Sequence, residues 1–146
     1  MNLETLTLIA LTGFLATYIH MIIALWVSQV GLPRLDFSRV IANLNFSGGY
    51  KEDPPYLLGL ASVHLNGIVF ALIYATLVGP NLPGTDFERG LIYGAILFFA
   101  SQTLFVPIIL KDGLFLHKLH PKAWITALIV HVVYGAVLGW LCPIVS

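Results

Sequence analysis

Four long apolar stretches dominate the sequence, and each is long enough to cross a lipid bilayer. A membrane-spanning helix needs about 20 mainly apolar residues in a row, because each residue rises about 1.5 Å through a hydrocarbon core about 30 Å thick. The stretches run from about residue 6 to 30, 56 to 78, 90 to 110 and 123 to 143. The pattern predicts an all-α integral membrane four-helix bundle that forms a single domain over residues 1–146.

A shorter amphipathic pattern lies between the first two spans. Apolar residues recur there at helical spacing (i, i+3, i+4, i+7), with polar residues between them: Phe37, Val40, Ile41 and Leu44. This spacing predicts a short interfacial helix in the headgroup region, and an irregular loop is the alternative. Residues 47–49 and 51–53 then predict a turn and a solvated run of charges.

Composition supports the membrane assignment and removes several classes of function. The chain is 58% apolar and 10% charged, with a mean hydropathy of +0.91. A soluble domain averages roughly 45–50% apolar and about 25% charged residues. Seven basic residues balance seven acidic ones, so the net charge is zero. These values exclude a soluble enzyme domain and a nucleic-acid-binding protein.

The basic residues predict the orientation of the chain. Four spans place both termini on one side, side A, together with the loop at residues 81–88, and the other two loops on side B. Side B holds six basic residues: Arg34, Arg39, Lys51, Lys111, Lys118 and Lys122. Side A holds only Arg89. The positive-inside rule therefore predicts that side B is cytoplasmic and that both termini lie outside. The first span is too long for a signal-peptide core and is expected to be retained.

The second and fourth spans share a short phrase. Each has a Val-His pair followed by small residues at helical spacing: Val63, His64, Gly67 and Ala71 in one, Val130, His131, Gly135 and Gly139 in the other. The phrase has two interpretations, a duplicated helical hairpin or a chance similarity between apolar helices. Small residues also recur on the first and third spans, at Gly13, Ala16, Gly90 and Gly94. Such faces let helix backbones approach closely in lipid, which predicts a compact bundle.

Each span carries one long polar side chain near its middle. His20, Gln102 and His131 fall about 3 Å from their span midpoints toward side B, and His64 falls about 4–5 Å from its midpoint in the same direction. These residues also share helix faces with the small residues, so they are expected to point into the bundle. Ionisable groups inside a bilayer are costly and usually have a partner or a task. His20, His64, Gln102 and His131 are therefore the candidate cofactor-binding residues.

Several chemistries suit a histidine layer. Neutral imidazole binds haem iron, chlorophyll-type magnesium, copper or zinc, and it can relay protons or bind a quinone carbonyl. A haem b between two helices would use one imidazole from each, beside small residues. The simplest alternative is that the four side chains only form hydrogen bonds across the helices. The spans contain no carboxylate, which argues against a di-iron site and against a carboxylate-driven transporter.

The remaining candidate functional residues point less clearly to a binding site or a reaction. His117 and His120 lie among lysines in the second side B loop, and we expect a solvated interfacial pair there, with a metal site as the alternative. The single cysteine, Cys142, has no partner in the chain for a disulfide. The sequence contains no phosphate-binding loop, nucleophile motif or paired carboxylate, so no catalytic residue is predicted.

The second half of the chain resembles a known group of proteins. The run at residues 90–99, then Pro107, Pro121 and the run at residues 131–140, is similar to the small uncharacterised bacterial inner-membrane proteins related to the YagU group. The resemblance implies a four-helix bacterial inner-membrane protein, with Gly90, Gly94, His131, Gly135 and Gly139 as pattern residues. It implies no activity.

Three functional hypotheses follow. The first is a non-catalytic membrane subunit, in contact with the lipid bilayer and with other subunits of a larger, energy-transducing complex. The second is an electron-transfer subunit that binds haem b or another tetrapyrrole, such as a chlorophyll-type pigment, through the intramembrane histidines. The third is a small oligomeric transporter or channel, which would need a water-filled path.

Overall fold

The computed structural model describes residues 1–46 and 54–145, and no strand occurs among them. The helices are α1 (Leu3–Trp26), α2 (Phe37–Phe46), α3 (Tyr56–Ile73), α4 (Asp86–Ala100) and α5 (Ala123–Leu141). Three of them continue: α1 as a 3-10 turn (Val27–Val30), α3 as a π turn (Tyr74–Val78) and a 3-10 turn (Gly79–Asn81), and α4 as a π-helix (Ser101–Leu110). A short 3-10 turn (Leu114–Leu116) precedes α5.

The predicted membrane bundle is confirmed. Four helices are long and apolar enough to cross a membrane: Leu3–Val30, Tyr56–Asn81, Asp86–Leu110 and Ala123–Leu141. We call these the first to fourth spans. The third begins four residues before the apolar pattern does, because Thr85 and Glu88 cap it. The Thr85 N–H donates to the Glu88 carboxylate over 2.7 Å, and the Glu88 N–H donates back to the Thr85 hydroxyl over 3.4 Å.

Small residues bring the helices together in two close pairs. α1 packs on α3, where a methyl group at Gly13 would lie 2.7 Å from the Ala71 Cβ. α4 packs on α5, where a methyl group at Gly94 would lie 2.5 Å from the His131 carbonyl oxygen. No side chain larger than glycine fits these contacts unless the helices separate. The predicted packing faces are thus confirmed, whereas duplication of a hairpin remains a prediction.

The side A half of the bundle is filled by a common core. Ile9, Tyr74 and Leu138 are fully buried there, and aromatic side chains join the two helix pairs. The Tyr93 hydroxyl, on α4, donates to the Phe70 carbonyl over 2.9 Å, and the Tyr134 hydroxyl, on α5, donates to the Gly67 carbonyl over 2.6 Å. Both bonds satisfy backbone groups of α3.

The helix predicted between the first two spans is present as α2, but it packs through its small residues. Ser38 and Ala42 are buried against Gly59 of α3. The larger apolar residues face elsewhere: Phe37, Val40 and Ile41 line a cavity, and Leu44 is exposed. The chain reaches this place by folding back on α1, where the Leu35 N–H donates to the Ala24 carbonyl over 3.1 Å. The predicted turn and charge run at 47–49 and 51–53 lie outside the described residues.

Candidate functional site

A cavity of about 790 Å³ occupies the side B half of the bundle. All four spans and α2 contribute to its wall. α1 packs on both α3 and α5, α2 packs on α3, and α4 packs on α5, so the space lies between α3 and the third span. Most of the wall is apolar, including Val63, Leu97, Phe105 and Val130. Its size lies within the range of roughly 300–1,000 Å³ that is typical of small-molecule sites.

Three of the four predicted site residues line this cavity. His20 comes from α1, Gln102 from the π-helix and His131 from α5. The His20 ring centroid lies 6.2 Å from that of Tyr134 and 5.1 Å from that of Phe37. Helices that are far apart in sequence therefore bring one polar group each to a shared space.

Two polar atoms of this group are buried without a hydrogen-bond partner among the residues that the structure describes. They are His20 Nδ1 and Gln102 Oε1. Gln102 is 2% exposed, and its amide Nε2 donates to the Ser101 hydroxyl over 3.1 Å. An unsatisfied buried polar atom costs roughly 1–3 kcal/mol, and most native polar groups avoid this cost. Residues of the cavity wall thus hold hydrogen-bonding capacity that no described group uses. Both atoms are themselves buried, and the same is true of Ser38 Oγ and His64 Nε2, which belong to residues outside the wall.

His131 has one nitrogen fixed by the backbone of its own helix. Its Nδ1–H donates to the Ala127 carbonyl over 2.7 Å, so Nε2 carries the lone pair. The ring centroid lies 6.0 Å from that of Phe98. A backbone carbonyl on the second ring nitrogen is the arrangement that orients metal-binding histidines. His131 is therefore oriented to act as an acceptor or as a ligand.

His64 lies outside the residues that line the cavity. Its Nδ1–H donates to the Leu60 carbonyl over 2.9 Å, and its ring packs 4.5 Å from the Phe14 ring of α1, centroid to centroid. Of the two histidines in the shared Val-His phrase, His131 therefore lines the cavity, whereas His64 faces α1. The two histidines point in different directions because α3 and α5 are rotated differently about their own axes. The shared Val-His phrase does not determine this rotation.

Sequence reasoning missed Tyr134 as part of the site. It lines the cavity and contacts the His20 ring, and its hydroxyl is held by Gly67. The signal was its position three residues after His131, on the same helix face. Tyr74 and Tyr93, in the side A core, do not belong to this wall.

Within residues 1–46 and 54–145, the charged residues of the cavity wall lie at its side B end. They are Arg34, Asp36, Arg39 and Asp112. An Arg34 Nη2 lies 3.8 Å from an Asp36 carboxylate oxygen, and the other Asp36 oxygen accepts the Arg39 backbone N–H over 3.1 Å. The cavity therefore runs from a neutral polar region near His20 to a charged rim.

The histidines of the second side B loop are separate from the cavity. His117 and His120 are both exposed, and each ring bonds locally, with the Leu114 carbonyl and the Lys122 N–H respectively. Residues 1–46 and 54–145 contain no group of three or more His, Cys, Asp or Glu side chains placed to hold a metal ion. Cys142 is buried as a free thiol near the end of α5.

Comparison with known proteins identifies a family. A sequence model described as "Family of unknown function (DUF6789)" matches residues 4–146. Neither the curated proteins nor the solved structures give a match. The resemblance to the YagU group stays a prediction.

Proposed function

We propose that this chain, which belongs to DUF6789, a family of unknown function, is a non-catalytic membrane subunit that binds a membrane-soluble ligand in the cavity. The observation that carries the proposal is the pair of unpartnered polar atoms, His20 Nδ1 and Gln102 Oε1, on the wall of a mostly apolar space. A few polar groups within apolar walls are typical of small-molecule sites, where they orient the ligand. A ligand that bonds to these atoms would remove their desolvation cost.

Membership of a larger, energy-transducing complex in a bacterial inner membrane remains part of this proposal. It is supported by the neutral charge balance of the chain and by the excess of basic residues on side B. The same basic residues favour a cytoplasmic side B, so the charged rim of the cavity would face the cytoplasm. Transport by an oligomer remains a prediction from the sequence.

A haem or another tetrapyrrole is a second candidate ligand, favoured by His131. The Ala127 carbonyl holds its Nδ1–H, which leaves Nε2 to coordinate a metal. His20 is the second imidazole on the cavity wall, and His64 is not on it. A haem site in this protein would therefore use His20 and His131, and His64 would be dispensable.

The test begins with full-length protein purified in a mild detergent. Absorption spectra of the oxidised and dithionite-reduced sample, with mass spectrometry of an organic extract, identify any bound cofactor or lipid-soluble molecule. Co-purifying proteins are identified in the same sample. His20→Phe is compared with His64→Phe, which replaces a buried histidine that does not line the cavity.

We expect a stoichiometric ligand in the wild type and in His64→Phe, and a substoichiometric amount in His20→Phe. A Soret band that shifts on reduction would identify the ligand as haem. A ligand retained equally by both variants would place it outside the cavity and overturn the proposal. Protein that carries no ligand and binds none on addition would overturn it as well.

A further inference from the structure

The cavity opens sideways, between α3 and the third span. Residues on both rims line the cavity and are also exposed on the surface of the bundle: Asn66, Phe70, Ala100, Leu104 and Ile108. Leu104 is 58% exposed and Ile108 is 63% exposed. Both rims belong to helices apolar enough to span a membrane, so this opening faces lipid rather than water.

The polarity of the wall restricts the ligand. Around His20, Gln102 and Tyr134, the polar groups are uncharged side chains that donate or accept hydrogen bonds. The charged side chains that the structure describes on this wall lie at the rim on side B. A phospholipid would place its charged headgroup at that rim. Its acyl chains would then lie beside His20 and Gln102 and could not form hydrogen bonds with their unpartnered atoms.

We propose that the ligand is an isoprenoid quinone, whose head lies between His20 and Gln102 and whose tail leaves through the lateral opening. This inference rests on the proposed function, since it names the ligand of the same cavity. A quinone head is flat and neutral, and its two oxygens lie on opposite sides of the ring. The apolar tail suits the exposed Leu104 and Ile108 rim.

The hydrogen-bonding groups suit both redox forms of such a head. Gln102 offers an amide oxygen that accepts from a quinol hydroxyl and an amide nitrogen that donates to a quinone carbonyl. The free His20 nitrogen donates or accepts according to its tautomer. Neither bond requires a charge inside the membrane, where a charge is costly.

Decylubiquinone, which carries a ten-carbon tail, is a suitable probe for the head contacts. Its Kd is measured with the full chain in phosphatidylcholine nanodiscs, against decylbenzene, which has the ring and tail without carbonyls. Gln102→Leu removes the amide at nearly constant volume. Its matched control is Thr103→Val, at an exposed neighbouring position whose hydroxyl bonds only to the Phe99 carbonyl.

We expect Gln102→Leu to raise the Kd about fivefold, the equivalent of one hydrogen bond, and Thr103→Val to leave it unchanged. If Gln102→Leu does not fold, His20→Phe serves the same purpose. Decylbenzene binding as tightly as decylubiquinone would overturn the role of the carbonyls. Equal Kd values for all the variants would overturn the proposed position of the head.

The lateral opening is tested separately by narrowing it. Ala100→Trp places a large side chain at the rim, and Ala61→Trp places the same side chain on an exposed face of α3 outside the cavity. We expect Ala100→Trp to raise the Kd at least about tenfold and Ala61→Trp to leave it unchanged. Equal Kd values in the two variants would overturn the lateral route.

The quinone assignment and the proposed function fail in different ways. Wild-type protein that carries haem, or that binds another lipid-soluble molecule through His20 or Gln102 but does not bind decylubiquinone, would overturn the quinone and leave the cavity as a binding site. Protein that binds nothing whose affinity depends on His20, Gln102 or His131 would overturn both.

Discussion

The closest approach of α4 to α5 predicts a large effect for a single added methyl group at Gly90. A Cβ at this position would lie 2.5 Å from both the Cα and the N of Gly139 and would also clash with the Gly135 carbonyl oxygen. Ordinary van der Waals contact begins at 3.4 Å. Gly90→Ala therefore requires the two backbones to separate by at least about 0.9 Å, a distance comparable to those that disrupt packed interiors.

The expected change in the free energy of unfolding of Gly90→Ala is the sum of two opposing effects. Overpacking costs about 1–3 kcal/mol, and the upper end applies here because the atoms in the way belong to a helix backbone and cannot rotate aside. Alanine recovers about 1 kcal/mol through its higher helix propensity. The net destabilisation is about 2 kcal/mol, roughly a thirtyfold change in the unfolding equilibrium.

Reversible unfolding in mixed micelles, with increasing SDS mole fraction, measures this difference. Ala61→Val is the control, since it also adds bulk to a spanning helix but at an exposed position, where the change is expected to stay within about 0.5 kcal/mol. If Gly90→Ala has the same free energy of unfolding as the wild type, the reasoning is refuted. The contact between α4 and α5 would then be looser than the structure shows.

Two further predictions concern the link between the helix pairs and the orientation of the chain. Tyr134→Phe removes the hydroxyl that donates to the Gly67 carbonyl over 2.6 Å. We expect the free energy of unfolding in the same assay to fall by about 1 kcal/mol. An unchanged free energy of unfolding would show that this hydrogen bond is not formed. Asn81 and Lys118 are exposed near opposite ends of the bundle, so each can report on one side of the membrane. In a Cys142→Ser background, we expect a membrane-impermeant maleimide to label Asn81→Cys in intact cells. We expect it to label Lys118→Cys only after lysis. The reverse pattern would invert the predicted topology.

The sequence alone predicts most of the fold because a bilayer restricts what a chain can do. Backbone groups in lipid must be satisfied within the segment, so each long apolar stretch forms a helix whose length the bilayer sets. Small residues at helical spacing likewise predict which faces meet, as Gly13 and Gly90 illustrate. The start of α4 was misplaced by four residues, because its cap at Thr85 follows local hydrogen bonding rather than hydropathy.

The candidate site is determined only in part by the sequence. Spacing along each span places His20, Gln102 and His131 at a common depth, and the structure brings these three to one cavity. The same reasoning groups His64 with them, although its ring packs on Phe14 instead. Depth follows from residue number through a constant rise per residue, whereas the direction of a side chain follows from the rotation of its helix, which neighbouring helices set.

The cavity itself exists only in the tertiary structure. It depends on α1 packing with both α3 and α5 while α3 and the third span stay apart, and on α2 turning Phe37, Val40 and Ile41 toward the gap. These pairings connect residues far apart in the chain, and apolar helices carry little information in their sequences about which partner they choose. The sequence determined which segments are helical and how deep their polar groups lie, and packing between helices decided which of those groups share a space.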